Sequence, residues 1–411
     1  MHYMQQQLDN GLTVQADLNP NAQSMAIGFF VRTGARDEPT EIGGVSHFLE
    51  HMVFKGTATR SPEDVNRQLD EMGSHSNART GEDSTIYHSA VLPDFQTPIV
   101  ELLADIMQPS LRDEDFEMEK QVIIEEIMMY DDQPPYGGYE RIMSEFFGEH
   151  PLAQSVLGTV ETVGNMTAEQ MRQYYKERYS PDNICVAIAG KVDYDRLIRD
   201  LERTCGHWEP HRCIRQPRPA HTRKGFVVID KAQSTQEYIL QLTQGPSGND
   251  QDRYAARLLT AILGDDCGSR MFWEFLDTGL ADGAGMGTYE YDDAGVIMTY
   301  LSCQPDQAEE NLERLQILQE RILSQPVTAR ELELAKSKIA SQIILASERT
   351  NSRMFSVGTQ WLRNHTFKTP AEIAAIYDSI TLEQIRAVAA KYDLTKNMTV
   401  VVGPKQDWSV T

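Results

Sequence analysis

The chain of 411 residues is long enough to bury two or more hydrophobic cores, and its formal net charge is −23 at pH 7. Such an acidic chain is not expected to bind nucleic acid, because phosphate recognition needs basic patches. No apolar run approaches the length of a membrane span, so no membrane partner is expected. The five cysteines are odd in number and unpatterned, which predicts a reducing compartment.

Two strands open the chain. The pair Asn10-Gly11 is typical of a turn, and the run from Leu12 to Ala16 that follows it has a strand pattern. A second apolar run, Met25 to Arg32, predicts a strand that leads toward a histidine-containing helix. Because a strand begins so early, we expect a cytoplasmic protein without a signal peptide. A chain from which a periplasmic or organellar leader had been removed would look the same.

The segment His47-Phe48-Leu49-Glu50-His51 carries the strongest chemical signal of the chain. His47 and His51 are four residues apart, so on an α-helix they lie one turn apart on one face and can hold a single metal ion. Glu50 is too close in sequence to add a useful third ligand, but its carboxylate can reach a water activated by that metal. The pattern is the inverted form of the His-Glu-x-x-His helix of zinc proteases.

A catalytic zinc usually takes three protein ligands, so a third ligand is expected elsewhere. The segment from Asp113 to Ile127 predicts a helix with one buried stripe, formed by Phe116, Ile123, Ile124 and Ile127. Glu119 and Glu126 lie two turns apart on nearly the same face of this helix. One can ligate the metal while the other supports the water or a ligating histidine. The spacing alone leaves both open, since acidic residues on helices are usually only solvated.

The segment from Gly43 to Thr57, which contains both histidines, resembles the signature of the pitrilysin/insulinase family, and its processing-peptidase branch most closely. Members of that family place a zinc-ligand glutamate some 75 residues downstream, with another acidic residue seven positions before it. Glu126 and Glu119 stand at those two positions. The segment from Met72 to Thr80 resembles the family's next block, in which an edge strand carrying Asn-Ala lies beside the bound peptide.

The resemblance implies a zinc-dependent endopeptidase with one Zn²⁺ per chain that hydrolyses unfolded peptides or short precursors. The implied metal ligands are His47, His51 and Glu126. The implied catalytic residues are Glu50, as the general base, and Glu119, as the support of the metal shell. Asn77 and Ala78 are expected to pair with the substrate backbone as a β-strand, with a simple core strand as the alternative.

An internal duplication is visible near the ends of the two halves. The segment from Thr167 to Arg172 recurs as Thr381 to Arg386, and each copy can form a capping box at a helix start. Sixteen residues after each threonine an asparagine, Asn183 or Asn397, opens an apolar strand. Both copies therefore predict a helix, a turn and a buried strand.

The boundary between the halves is expected in a proline-rich connector near residues 209 to 223. This gives a metal-bearing peptidase domain, 1–212, and a homologous domain without the metal motif, 222–411. Alternating strands with grouped amphipathic helices are typical of an α+β fold. The resemblance implies two tandem homologous domains, each a mostly antiparallel β-sheet backed by α-helices, that together form half of a clamshell.

The connector region holds a weaker candidate for a second metal group. Cys205 and His207 are separated by one residue, and so are His211 and Cys213. Such one-residue spacers strain the geometry of a zinc site, so an ordinary polar linker is the favoured interpretation.

The second half departs from the family pattern in a way that bears on partners. Family members often use an Arg and a Tyr, seven residues apart, to hold the substrate near the zinc. Here Asp282 stands at the tyrosine position, and neither Phe275 nor Leu276 can replace the arginine, while Arg270 is assigned to packing. We therefore expect the metal-bearing subunit of a heterodimer whose homologous partner brings the Arg/Tyr pair. A self-sufficient homodimeric zinc peptidase and a non-catalytic scaffold subunit are the alternatives.

Overall fold

The computed structural model describes residues 2–216 and 218–409, so residue 217 of the predicted connector lies outside it. The chain forms two compact units. The first contains the chain up to Met128, Gln154–Gln216 and Leu345–Phe367, and the second contains the remaining stretches. The predicted division into 1–212 and 222–411 is contiguous, whereas these units exchange two stretches, 129–153 and 345–367.

The first unit is built on a six-stranded sheet with the order β1-β2-β6-β3-β5-β4. Its strands are β1 His2–Gln7, β2 Thr13–Leu18, β3 Met25–Val31, β4 His75–Thr80, β5 Thr85–Val91 and β6 Ile184–Gly190. Only β2 and β6 pair in parallel, and the other neighbours are antiparallel. The predicted strands β2 and β3 are thus confirmed. Strand β4 lies at the edge of the sheet, because β5 is its one neighbour in the sheet order.

Helices cover both faces of this sheet. They are α1 Val45–Val53, α2 Pro62–Glu71, α3 Gln96–Ile106, α4 Asp113–Asp132, α6 Val160–Asn165, α7 Ala168–Arg178, α8 Tyr194–Cys205 and α12 Thr350–Asn364, numbered along the whole chain. On one face, the sheet packs against α1, α3, α4, α7 and α8 and forms the main core with them. The other face is covered by α12, whose Met354, Val357 and Trp361 pack with residues such as Phe30. The far face of the sheet is apolar, so the helix that buries it belongs to this unit despite its distance in sequence.

The second unit repeats this design on a five-stranded sheet with the order β7-β11-β8-β10-β9. Its strands are β7 Gly225–Asp230, β8 Glu237–Gln244, β9 Gly283–Glu290, β10 Gly295–Cys303 and β11 Met398–Gly403. Its helices are α5 Pro134–Phe147, α9 Asp252–Gly264, α10 Ala308–Ser324, α11 Ala329–Ser347, α13 Pro370–Ser379 and α14 Leu382–Lys391. Helix α5 packs on the sheet through Ile142, Met143 and Phe146, next to Leu240 and Val402.

The duplication read from the sequence is confirmed in three dimensions. Thr167 and Thr381 each begin a helix, α7 or α14, with a complete capping box. The strands that follow, β6 and β11, each pair in parallel with one neighbour and antiparallel with another. Each unit also receives one helix from the other half of the chain. The fold is α+β, with two homologous halves of mostly antiparallel sheet backed by helices.

None of the helices in the described chain has both the length and the apolar character that crossing a bilayer requires.

Candidate metal centre

Helix α1, which carries both histidines, begins in an unusual way. Its first flanking residue, Gly44, has φ +93°, and a Cβ there would lie 2.5 Å from the carbonyl oxygen of Leu157. Gly44 has no side chain to cap the helix, and the buried carboxylate of Glu38 accepts the N–H groups of Gly44 and Ser46 at 2.6 and 2.7 Å instead. Burial raises the pKa of Glu38 to about 8, against the opposing effect of these two donors. Helix α1 is therefore fixed at its start.

His47 and His51 of α1 meet Glu126 of α4. Atom Oε2 of Glu126 lies 3.6 Å from Nε2 of His51 and 3.9 Å from Nε2 of His47. The three side chains each offer a ligand atom within 4.8 Å of the others, and no second such group occurs in residues 2–216 and 218–409. Ligand atoms on a tetrahedral zinc ion lie about 3.3–3.5 Å apart, so small side-chain movements close this group on an ion.

The protonation state of His47 suits a metal ligand. Burial, helped by the neighbouring His51, lowers the pKa of His47 to about 4, so its imidazole is neutral at neutral pH. Burial acts in the same direction on His51, but the carboxylates of Glu119, Glu126 and Glu50 outweigh it and raise the pKa of His51. A metal ion binds the neutral imidazole in competition with a proton. The donor set thus fits zinc in both chemistry and charge.

Glu119 lies behind His51 and outside the three-residue group. Its Oε1 is 2.9 Å from Nδ1 of His51, and its Oε2 is 2.5 Å from Nζ of Lys55. Burial would raise the pKa of Glu119, but the hydrogen bonds from His51 and Lys55 outweigh it and lower that pKa. An ionised Glu119 can accept the Nδ1 proton of His51, which leaves Nε2 free to bind a metal. The sequence did not predict a role for Lys55, which lies four residues after His51 and just beyond the end of α1.

Glu50 is directed at the end of the edge strand β4. The hydroxyl of Thr80, the last residue of β4, donates a hydrogen bond of 2.5 Å to Oε2 of Glu50. Burial raises the pKa of Glu50, although Thr80 acts to lower it. Thr80 was not predicted from the sequence. The available signal was its position, since Thr80 lies two residues after Ala78 and therefore on the same face of the strand.

Asn77 and Ala78 lie in the middle of β4, where they pair with His88 and Tyr87 of β5. Ala78 packs against the main core, whereas the side chain of Asn77 is exposed. Because β4 is an edge strand, one side of its backbone pairs with no other strand in the described residues, 2–216 and 218–409. Pairing of Asn77 and Ala78 with a substrate stays a prediction, and a simple core strand stays the alternative.

The remaining candidates are not members of the three-residue group. Asp282 accepts a hydrogen bond from Gln236, and Phe275 is buried in the core of the second unit. Arg270, assigned to packing from the sequence, forms an ion pair with Glu331. The weaker metal group of the connector does not form. Its Cys205 is buried in the first core, where burial raises the thiol pKa to about 12, and its Cys213 donates to a backbone carbonyl oxygen.

Comparison with known proteins agrees with this architecture. The sequence profile of the insulinase family (peptidase family M16) matches residues 13–160, and the profile of the peptidase M16 inactive domain matches residues 165–339. An uncharacterized zinc protease of Mycobacterium leprae is 30% identical over 407 residues, which span 97% of this chain and 91% of the relative. An uncharacterized zinc protease of Bacillus subtilis is 31% identical over 384 residues, or 92% of this chain and 93% of the relative.

Two crystal structures share the fold. A protease from Helicobacter pylori superimposes with a TM-score of 0.91 at 21% identity, covering 98% of this chain and 99% of that one. A peptidase M16 inactive domain from Pseudomonas fluorescens gives a TM-score of 0.91 at 18% identity, with all of both chains covered. The profile matches and the full-length relatives together identify the chain as a member of the insulinase family, peptidase family M16.

Proposed function

We propose that this chain is a zinc-dependent endopeptidase and that His47, His51 and Glu126 hold one zinc ion. The observation that carries the proposal is the convergence of the three ligand atoms, all within 4.8 Å of one another, from two separate helices. The family membership and the zinc proteases among the full-length relatives support it. When bound, the zinc ion would supply Lewis acidity for activating water and for polarising the scissile carbonyl.

The chain's own residues supply the proton chemistry. Glu50 takes a proton from the attacking water as the general base and then delivers it to the amine that leaves. The raised pKa of Glu50 brings it closer to working pH, which suits a group that must both accept and release a proton. Glu119 holds the ring of His51 through Nδ1, so that Nε2 keeps its direction.

The substrate would be an extended segment of an unfolded peptide or short precursor. It would add to the free side of β4, with Asn77 and Ala78 supplying backbone hydrogen bonds. Backbone pairing gives affinity without strong selection of side chains, so a range of sequences would bind.

A test of the reaction compares two variants with one control. Glu50→Gln keeps the shape of the side chain but cannot act as a base, and we expect it to retain one zinc per chain and to lose hydrolysis by about 10²–10⁴-fold. Glu126→Gln removes a charged ligand and is expected to lose zinc. The control is Glu125→Gln, an exposed neighbour on α4, which should keep both.

Two outcomes of this test would contradict the proposal. A purified chain without stoichiometric zinc, whose hydrolysis does not respond to Glu50→Gln, would support the scaffold alternative. If the wild type and Glu126→Gln bound zinc equally well, Glu126 would not be a ligand and the proposed ligand set would be wrong.

The same chain is proposed to work as the metal-bearing subunit of a heterodimer. The support is the second half, where Asp282 and Phe275 stand in the segment in which the family often carries its Tyr and Arg. A homologous partner with that pair would complete the carbonyl-binding site and, as the other half of the clamshell, enclose the peptide in a chamber between the two subunits. Mixing the chain with such a homologue should raise the rate of peptide hydrolysis at least tenfold, by about 1.4 kcal/mol of transition-state stabilisation. Equal rates with and without it would favour the homodimer.

A further inference from the structure

We propose that Thr80 is the positioning residue of the general base, because its hydroxyl sets the carboxylate of Glu50 for proton transfer. This inference rests on the proposed peptidase function and deepens it. It assigns a role to the end of β4, next to the stretch that would bind the substrate.

The contact between the two side chains is direct. The hydroxyl of Thr80 donates a hydrogen bond to Oε2 of Glu50 at 2.5 Å. Glu50 stands on α1 and Thr80 on β4, so the bond joins the metal-binding helix to the edge strand.

The loop that follows Thr80 is firmly held, so the donor has a defined position. The N–H groups of Ala35 and Arg36 donate to the carbonyl oxygens of Gly81 and Glu82 at 3.1 Å each. A Cβ at Gly34 would lie 2.2 Å from the same Gly81 oxygen, so the two backbones approach more closely than any side chain permits.

Buried ion pairs stabilise the same contact, between residues 34–37 and the turn that follows β4. Arg36 pairs with Asp83 at 2.9 Å. Arg215, which comes from the end of the first unit, bonds to Asp37 and to the backbone carbonyl of Asp83. The side chains of Arg36, Asp37 and Arg215 are almost completely shielded from solvent. Bonds in such an environment are costly to break, so the turn between β4 and β5 cannot easily shift.

A single segment therefore fixes both partners of the Glu50–Thr80 bond. Residues 34–37 hold the turn after Thr80, and the next residue, Glu38, holds the start of α1. The distance between the base and its donor is set by one short stretch of backbone. A threonine with only a packing role on β4 would not need this alignment, and a valine could replace it.

The test compares Thr80→Val, which keeps the β-branched shape but removes the hydroxyl, with Thr80→Ser, which keeps the hydroxyl. We expect Thr80→Val to lower kcat by about ten- to a hundredfold, part of the full effect of a general base, with KM and zinc content unchanged. Thr80→Ser should restore kcat to within about threefold of the wild type. Thr288→Val, on the edge strand β9 of the second unit, is the control for loss of a strand hydroxyl.

Crystal structures of the two variants provide a second readout that does not depend on activity. The carboxylate of Glu50 should leave its wild-type position in Thr80→Val and keep it in Thr80→Ser. An unmoved carboxylate in Thr80→Val, or an unchanged kcat, would overturn the positioning role. An equal loss of kcat in Thr80→Val and Thr80→Ser would also overturn the positioning role, because removal of the hydroxyl would then not explain the loss. Glu50→Gln separates these results from failure of the proposed function, because its loss of hydrolysis does not depend on Thr80.

Discussion

The imidazole ring of His51, on α1, lies between two glutamates of α4 that approach it from opposite sides. Glu126 faces Nε2 at 3.6 Å, and Glu119 faces Nδ1 at 2.9 Å. Spacing along α4 gives these glutamates equivalent positions, two turns apart. The two glutamates contact different atoms of His51 because of the way α1 crosses α4, which brings one nitrogen of the ring to each carboxylate. Glu126 therefore has the geometry of a metal ligand and Glu119 that of its support.

This arrangement predicts that Glu119 contributes to the metal affinity of the proposed site. Glu119→Gln removes the charge that stabilises the Nδ1–H tautomer of His51, so we expect zinc affinity to fall by about 10–100-fold. Competition with a chelator measures the affinity directly. Glu117→Gln, an exposed change two residues away on α4, serves as the control. Equal affinity in Glu119→Gln and the wild type would show that the contact with His51 is only structural.

At this scale the sequence predicted the residues with strong spacing rules. His47, His51 and Glu126 come together in the structure as the motif and the resemblance implied. Thr80, Lys55 and Glu38 were missed because each acts through a contact that forms only when separate elements pack. Their residue types are common, and only Thr80 carries a local signal, its position two residues after Ala78.

At the scale of elements, the start of α1 depends on a backbone conformation that only glycine adopts readily. Gly44→Ala would place a Cβ at φ +93° and 2.5 Å from the Leu157 carbonyl oxygen. We expect a loss of about 2 kcal/mol or more in the free energy of unfolding, together with weaker zinc binding. The matched control is Gly164→Ala in α6, where a Cβ meets nothing within 4 Å. That change should leave stability equal or slightly higher, and similar losses in both variants would contradict the account.

The start of α11 offers a pH-dependent element in the second unit. Glu331 and Thr328 form a capping box, and Arg270 binds the same carboxylate. Burial would raise the pKa of Glu331, but the bonds from Arg270 and Thr328 outweigh it and lower the pKa from 4.5 to about 2. Because the folded-state pKa is the lower one, the stabilisation is complete above about pH 4.5 and is lost as the pH falls toward 2.

Glu331→Gln tests this linkage. We expect it to reduce the free energy of unfolding by about 1–2 kcal/mol at pH 7, a figure discounted for the partial exposure of the pair, and by much less at pH 3. Unfolding by urea at the two pH values gives the comparison. Glu333→Gln, an exposed change on the same helix, should have little effect at either pH. A loss that is equal at pH 7 and pH 3 would show that Glu331 stabilises α11 without its charge.

At the scale of the whole molecule, the duplicated halves each lend one helix to the unit built mainly from the other half. Helix α12 enters the first unit with a buried ion pair, in which Arg353 bonds Asp17 of β2, and with Gly358 close against the ring of Phe30. The sequence predicted the α+β fold and the repeat of helix, turn and strand. It could not predict the exchange, because an amphipathic pattern shows that a helix has an apolar face but not which sheet that face will cover.

The proposed peptidase function depends on one metal ion held between α1 and α4, and anomalous X-ray scattering at the zinc edge tests for this ion most directly. Crystals grown with zinc should show one strong anomalous peak per chain, within about 2.0–2.2 Å of Nε2 of His47, Nε2 of His51 and a carboxylate oxygen of Glu126. Crystals of Glu126→Gln should show a much weaker peak at that position. A zinc ion bound elsewhere, or no peak between the three side chains, would contradict the account.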